Sequence, residues 1–414
     1  MSSIAFLISN PYQIHHYSPI AKHLGGVSFV VEHRDVDLGV TEELIRREVP
    51  HAHIEHTTYG RLGELDGRYE VIVCQTPVLP HRLLEQSLVV AEQYSLAKEN
   101  YQYGVWRALC DLNLMYGQYS ASRVSGFSSA VAVGNPALDG ILTEQKNEVP
   151  VEEPSGFRSG LYMPTYGSLS SLRATLPRLA GLEMEFTVKL HHSADRSELP
   201  RLPDNCAVVF AETSPSDVLR AADFVISDYS GAAYDAVLVG LPVLLVGRTT
   251  AADSDHGRLS SAEIDGTSLG HVSARWESDE PIGSALEVAA ARLHEHRAEF
   301  VRTRLANPGA AGPAAAAAIR DLVERGPDLH PAPQVRADTA SMMRSVRDLS
   351  ADNRRLGRQN DRLRRPSARR LHRVVAPVLG QVRRLVARTP WLERALVAMS
   401  HRVRGEGRGG GGAG

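Results

Sequence analysis

The sequence predicts an α/β protein in which two successive doubly wound domains face a cleft and a helical C-terminal tail follows them. Three observations point there. Short apolar runs rich in β-branched residues alternate with helical stretches over residues 4–134 and again over 160–247, the pattern of parallel sheets covered by helices. Residues 223–247, DFVISDYSGAAYDAVLVGLPVLLVG, spell one complete strand–turn–helix–strand unit. Charge divides near residue 334: residues 334–414 hold 19 Arg, no Lys and 6 acids, a net +13, which leaves −15 on residues 1–333. An acidic body with an arginine-rich end marks that end as the part that meets an anionic surface.

At 414 residues the chain has room for two or three domains. Its 43% hydrophobic and 23% charged content is globular and argues against a disordered or fibrous chain. Cys74, Cys110 and Cys206 lie far apart without metal spacing, as buried thiols of a reducing compartment would. The chain enters a strand at once, IAFLIS, with no basic leader or cleavage site, and no run of 18 apolar residues occurs. A cytoplasmic protein without a membrane span is expected.

In order, strands are expected at IAFLIS (4–9), VSFVV (27–31), YEVIVC (69–74), SLVVAEQ (87–93), LNLMYG (112–117) and AVAVG (130–134). Helices fall between them, among them TEELIRREV (41–49) and RLLEQ (82–86). These residues make a first Rossmann-like domain, 1–142. The polar, proline-bearing stretch 143–156 reads as a linker. The second series, GLYMPT (160–165), FTVKLHH (186–192), CAVVFAE (206–212), DFVIS and PVLLVG, opens a second Rossmann-like domain, 157–326. It ends in the helix AAAAAIRDLVE (314–324), bounded by Pro313 and Gly326. Ligands of such sheets lie outside the carboxyl ends of the strands, so a cleft between the domains is the expected site.

Within 223–247, the turn Asp228-Tyr229-Ser230-Gly231 would place backbone N–H groups and a helix N-terminus at that sheet edge. Such a turn holds an anion, most often a phosphate; a tight turn that binds nothing has the same sequence. The small-residue turn Thr165, Gly167, Ser168 follows another strand, and Lys189, His191 and His192 end a third. A lysine and a histidine there suit a clamp on phosphate charge. In the first domain, SNPYQIHHYSPI reads as the loop after the first strand. It would hold His15 and His16 at the sheet edge as candidate general bases for a sugar or polyol hydroxyl. HAHIEH (51–56) reads as a polar strand edge and DSDHG (253–257) as a solvated loop. GxGxxG, Walker A, GxSxG and HExxH are absent.

Several stretches together resemble the CDP-glycerol glycerophosphotransferase family of teichoic-acid polymerases: EQYSLAKENYQYG (92–104), VAVGNPALDGIL (131–142), LYMPTYG (161–167), VKLHH (188–192) and ADFVISDYSGAAYDAVLVGLPVLL (222–245). The last is the most specific, with Ser227, Asp228, Tyr229, Ser230 and Asp235 in register with the family's SDYSS…FD pattern. The resemblance implies a GT-B-like fold and a donor pyrophosphate held at Ser230, Gly231 and the N–H groups that follow. It also implies roles for Thr165 and His191 as the threonine and histidine of the PTW-type and KLHP-type motifs. The chain departs from the family at Tyr94-Ser95, where His-Gly is usual, although Lys98 is retained; these three residues fall on the acceptor side. Gly167 replaces an arginine, and His192 a proline. The implied reaction needs no cofactor. An acceptor hydroxyl attacks the β-phosphate of CDP-glycerol or a related nucleotide donor, and CMP leaves past the SDYSG turn, Lys189 and His191. The acceptor would be a lipid-linked polymer of teichoic-acid type. A nucleotide-sugar transferase, a UDP-N-acetylglucosamine 2-epimerase-like enzyme and a non-catalytic scaffold are the competing readings.

Beyond the break PDLHPAP (327–333) the period changes to seven over 334–365. Val346, Asn353 and Asn360 occupy a positions; Leu349, Leu356 and Leu363 occupy d positions. Leucine at d with asparagine at a fits a short homodimeric coiled coil over 342–363; so few heptads also fit one helix docked on the body. Residues 366–414 return to a helical period, with Leu371, Val374, Val375, Val378, Leu379 and Val382 on one face and arginines flanking it. With Trp391, that describes a helix lying in an anionic lipid surface over 366–400, at the inner face of the cell membrane, rather than one on nucleic acid.

Overall fold

The computed structural model describes residues 3–33, 39–76, 84–97, 99–145, 156–167, 170–191, 194, 199–210, 212–228, 230–247, 269–327, 337–342 and 345. Lys98, Ser168, His192, Tyr229, the DSDHG stretch, most of the 143–156 linker, the heptads beyond residue 345 and the 366–414 tail lie outside the described residues.

Seven strands build the first sheet: β1 (Ile4–Ile8), β2 (Val27–His33), β3 (His53–Thr58), β4 (Val71–Cys74), β5 (Leu88–Glu92), β6 (Leu112–Met115) and β7 (Ala130–Ala132). Six build the second: β8 (Ser159–Met163), β9 (Glu185–Lys189), β10 (Cys206–Val209), β11 (Phe224–Ser227), β12 (Val243–Leu245) and β13 (Ala274–Arg275). Their orders are β3-β2-β1-β4-β5-β6-β7 and β10-β9-β8-β11-β12-β13. Every pairing is parallel; Ile4 lies opposite both Val27 and Val71, and Val225 opposite both Leu161 and Val243. The central strands β1, β4 and β11 are buried at every position, so the sequence shows them as unbroken apolar runs rather than alternating ones. In both sheets chain order reverses beside the first strand, and the crevice opens there at the carboxyl ends.

The helices are α1 (Tyr12–Ala21), α2 (Glu42–Glu48), α3 (Glu99–Gln102), α4 (Gln118–Ser125), α5 (Asp139–Gln145), α6 (Leu172–Leu179), α7 (Pro215–Arg220), α8 (Gly231–Leu238), α9 (Ile282–Arg304) and α10 (Ala311–Arg325). Four features differ from the expectation. The stretch expected as a loop around His15 and His16 is helix α1 from Tyr12 onward. Gln13 Oε1 accepts the amides of Ser9 (2.7 Å) and Asn10 (2.9 Å), which closes the strand-to-helix turn within three residues. Residues 84–86, expected in a helix, bend instead, because Asp66 accepts the amides of Glu85, Gln86 and Ser87 at 2.9–3.0 Å. The 23-residue helix α9, not anticipated, packs Leu286, Ala289, Leu293 and Phe300 into the second lobe's cores.

The fourth difference concerns α10. Expected as the end of the second domain, it crosses back and buries Ala315, Ala316, Ile319 and Leu322 in the first lobe's core, beside Phe6, Tyr17 and Phe29. The crossing is stitched to the first lobe: Ala306 N donates to Tyr116 O (2.7 Å), and Asn307 Nδ2 to Val133 O (3.2 Å). Asp139 caps α10 by accepting the amides of Ala311 (2.8 Å) and Gly312 (2.7 Å). Gly134, at φ 106°, has no room for a Cβ against the Ala306 carbonyl. No helix among the described residues is long and apolar enough to cross a membrane.

Candidate functional site

The carboxyl edges of the two sheets meet. From the first lobe, α1 carries consecutive histidines whose directions differ by about 100° on a 3.6-residue helix. His16, buried, sets its Nδ1 3.1 Å from Glu92 Oε1. Glu92 is the last residue of β5 and only 1% exposed, and its other oxygen accepts Gln75 Nε2 in a short hydrogen bond. With Glu92 as the acceptor in this pair, Nδ1 would carry the imidazole proton and leave the Nε2 lone pair open. The ring of Tyr116 lies parallel to that of His16 at 6.5 Å. His15 is equally buried, and its Nε2 has no hydrogen-bond partner among the described residues. Burial first, then His16, Lys189 and Arg47, lower its pKa to about 4, so it is neutral at pH 7.

From the second lobe, α8 faces this group. Asp235 Oδ1 accepts Asn135 Nδ2 at 3.2 Å, a hydrogen bond between the lobes. Asp235 keeps some solvent contact. Even so, the protein packed around it raises its pKa to about 7, with His16 pulling the other way. Ser230 is the N-cap of α8: its Oγ accepts Ala232 N (3.3 Å) and its carbonyl accepts Ala233 N (3.3 Å). The side chain of Ser95 lies against Gly231, so closely that a Cβ there would overlap Ser95 Oγ. The Gly231 end of the SDYSG stretch therefore lies at the gap between the lobes, covered by the Ser95 side chain.

Other expected site residues brace this edge. Ser227 Oγ donates to Met163 O (2.9 Å). Asp228 accepts Thr165 N (2.7 Å), Ser171 N (2.9 Å) and Ser171 Oγ (2.8 Å), which holds Thr165 and Ser171 to one carboxylate; burial nevertheless raises its pKa. Lys189 gives two of its three N–H groups to the carbonyls of Phe210 (2.9 Å) and Thr213 (2.8 Å), and burial lowers its pKa to about 8. Thr165 is buried, while Tyr166 beside it is exposed and stacks on His191 with centroids 4.4 Å apart. Tyr94 packs against Tyr12 at 5.7 Å. The structure thus gathers His16, Asp235, Ser95 and Gly231 at the gap and turns Ser227, Asp228 and most of Lys189 toward the backbone.

Glu92, Gln75, Asn135 and Tyr116 were not singled out from the sequence. One signal was present for Glu92: a carboxylate closing the apolar run LVVAE must be either desolvated or partnered at the sheet edge.

No protein-family model matches the chain, and no curated protein does. Among solved structures, the wall teichoic acid polymerase TagF in a variant soaked with CDPG for 15 minutes aligns with a TM-score of 0.53 and 14% identity, over 78% of this chain and 89% of that one. TagF itself aligns at 0.51 and 13%, over 78% and 90%. The glycosyltransferase SnogD from Streptomyces nogalater aligns at 0.43 and 16%, over 78% and 100%. Two parallel doubly wound sheets, an edge-to-edge gap and a final helix returned to the first lobe make this chain a two-domain GT-B α/β protein, with the fold of TagF.

Proposed function

We propose that the chain is a GT-B transferase that moves a polyol-phosphate group, glycerol phosphate in the first instance, from a CDP-activated donor to an acceptor hydroxyl. The observation that supports it most is the His16–Glu92 pair at the carboxyl edge of one sheet, opposite the start of α8 on the other. His16 Nε2 takes the proton of the acceptor hydroxyl, and Glu92 steadies the imidazolium that forms. The acceptor oxygen forms a bond to the donor β-phosphorus, the bond to the bridging oxygen breaks, and CMP leaves with that oxygen. In-line phosphoryl transfer asks for positioning and charge neutralisation more than for covalent help. The positive end of the α8 dipole at Ser230 and Gly231 (where Ser230 already takes the amides of Ala232 and Ala233), the third N–H of Lys189, and His191 would supply that neutralisation. Because Ser95 covers Gly231, the donor enters when the lobes part. Tyr229 and Lys98 keep the roles that the resemblance assigns them, phosphate and acceptor contact. Residues 366–400 would hold the enzyme on the anionic inner face of the membrane, near a lipid-linked polymer acceptor, and 342–363 would pair two copies.

The test is to incubate the purified full chain with CDP-glycerol or a UDP-sugar and a lipid-linked acceptor, following CMP against UDP. CMP release that falls at least about a hundredfold in His16→Ala, the low end of general-base contributions, supports the reading. UDP release in place of CMP moves the enzyme to the nucleotide-sugar transferases, and no turnover with any donor leaves a scaffold. Binding to anionic vesicles undiminished in a protein ending at residue 333 would remove the tail's anchoring role.

A further inference from the structure

Beside His16 the first lobe presents tyrosine rings with no part in the proton transfer. Tyr12, the first residue of α1, meets the His16 ring edge-on at 6.1 Å. Tyr94 touches Tyr12 at 5.7 Å and Tyr101 at 6.3 Å. All three tyrosines are partly exposed. Buried large rings are ordinary, whereas partly exposed ones gathered at a cleft are a recognition surface. Centroid spacings of about 6 Å mean that neighbouring rings touch, so no group fits between them as it would in a cation cage. Tyr12 and Tyr94 meet at 48° and Tyr94 and Tyr101 at 69°, so the rings form an angled wall in which each exposed face can take one flat-sided ring, and a thin linear chain has no such face to offer.

A second, independent observation lies at the same edge. The Tyr116 hydroxyl and Asn10 Oδ1 are buried with no hydrogen-bond partner among the described residues. Tyr116 is itself 1% exposed, and its ring lies alongside His16. Buried polar atoms without partners at a cleft mark where a ligand's hydroxyls complete the bonding.

We infer that Tyr12, Tyr94 and Tyr101 form a stacking wall for a sugar ring of the acceptor, so that one ring hydroxyl is delivered to His16. The inference rests on reading the gap as the acceptor site, and it narrows the acceptor from any polyol to a cyclic saccharide. The wall includes Tyr94, at one of the positions where the chain departs from the family it resembles.

The experiment is saturation-transfer NMR on the full chain, irradiating aromatic protons, with methyl β-glucopyranoside and its N-acetylamino counterpart against ribitol and glycerol. No donor is present, so the result does not depend on whether the protein transfers anything. Transfer to ring C–H protons of a pyranoside but not to the linear polyols is expected. It should fall at least about fivefold in Tyr94→Ala, the low end of what one stacked ring contributes, and persist in Tyr94→Phe. Tyr101→Ala, at a second, partly exposed ring of the wall, reads a partial loss even if Tyr94→Ala does not fold. Equal transfer to ribitol, no transfer to either pyranoside, or a pyranoside signal unchanged in both alanine variants overturns the wall. Pyranoside binding of this pattern with no turnover of CDP-glycerol would keep the wall and discard the proposed reaction.

Discussion

The pKa values of His15 and Asp235 are pushed in opposite directions by the same cause. Burial disfavours the charged form of each, lowering His15 to about 4 and raising Asp235 to about 7. The linkage signs follow. Folded His15 binds fewer protons than unfolded, so it takes stability away as pH falls from 6.5 toward 4. Folded Asp235 binds more, so the stability it contributes below about pH 4 is lost as pH rises toward 7. The two slopes oppose each other over one window. His15→Gln should therefore make thermal stability fall more steeply between pH 4.5 and 6.5, and Asp235→Asn should make it rise; melting temperatures across that range decide, and parallel shifts without a change of slope would contradict the assignment. At the same scale, Glu92→Gln keeps the shape but removes the charge that steadies protonated His16. Turnover should drop at least about tenfold, with the acceptor KM little changed, because the loss falls on the proton transfer. These residues were only partly legible. Consecutive histidines after a first strand were legible as candidates, but the carboxylate that His16 meets lies 76 residues away, and no local pattern encodes that contact.

At the scale of elements, the start of α8 is where the lobes touch. Ser230 satisfies the helix amides itself, and Gly231 leaves the space that Ser95 fills. Gly231→Ala inserts a methyl group into that contact and should cost about 1–3 kcal/mol, the usual cost of overpacking. The double variant Ser95→Gly/Gly231→Ala should recover most of it. Thermal melts of the four proteins close the cycle, and additive losses would mean that the two positions do not press on each other. The strand–turn–helix–strand unit around this contact was readable because every level agreed: an apolar run, a serine N-cap, and Gly240 at φ 86° closing the helix. The bend over 84–86 was not, since the apolar spacing of RLLEQ suits a helix and Asp66, far back in the chain, takes the amides.

For the whole molecule, the return of α10 to the first lobe decides how the two halves depend on each other. Its face of Ala315, Ala316, Ile319 and Leu322 was legible as amphipathic, but a 3.6-residue period says only that a helix is buried on one side, not against which core. Proximity in sequence favoured the second sheet. The actual docking is set by the stitching at residues 306–312, by the Asp139 cap, and by Gly312, which leaves no room for a Cβ against Pro19. Both lobes thus share one closing element, and the first should not survive its loss. Ile319 and Leu322 alone contribute about 1.5–3 kcal/mol each by burial, a large part of the few kcal/mol that separate a folded lobe from an unfolded one. Removing everything after residue 310 exposes that core, whereas removing everything after residue 333 keeps α10 in place. Limited proteolysis should then cut the shorter protein first within residues 4–142 while sparing 159–304, and the longer one should resist as the full chain does. Cleavage that begins in the second lobe would place α10 where the sequence alone had put it.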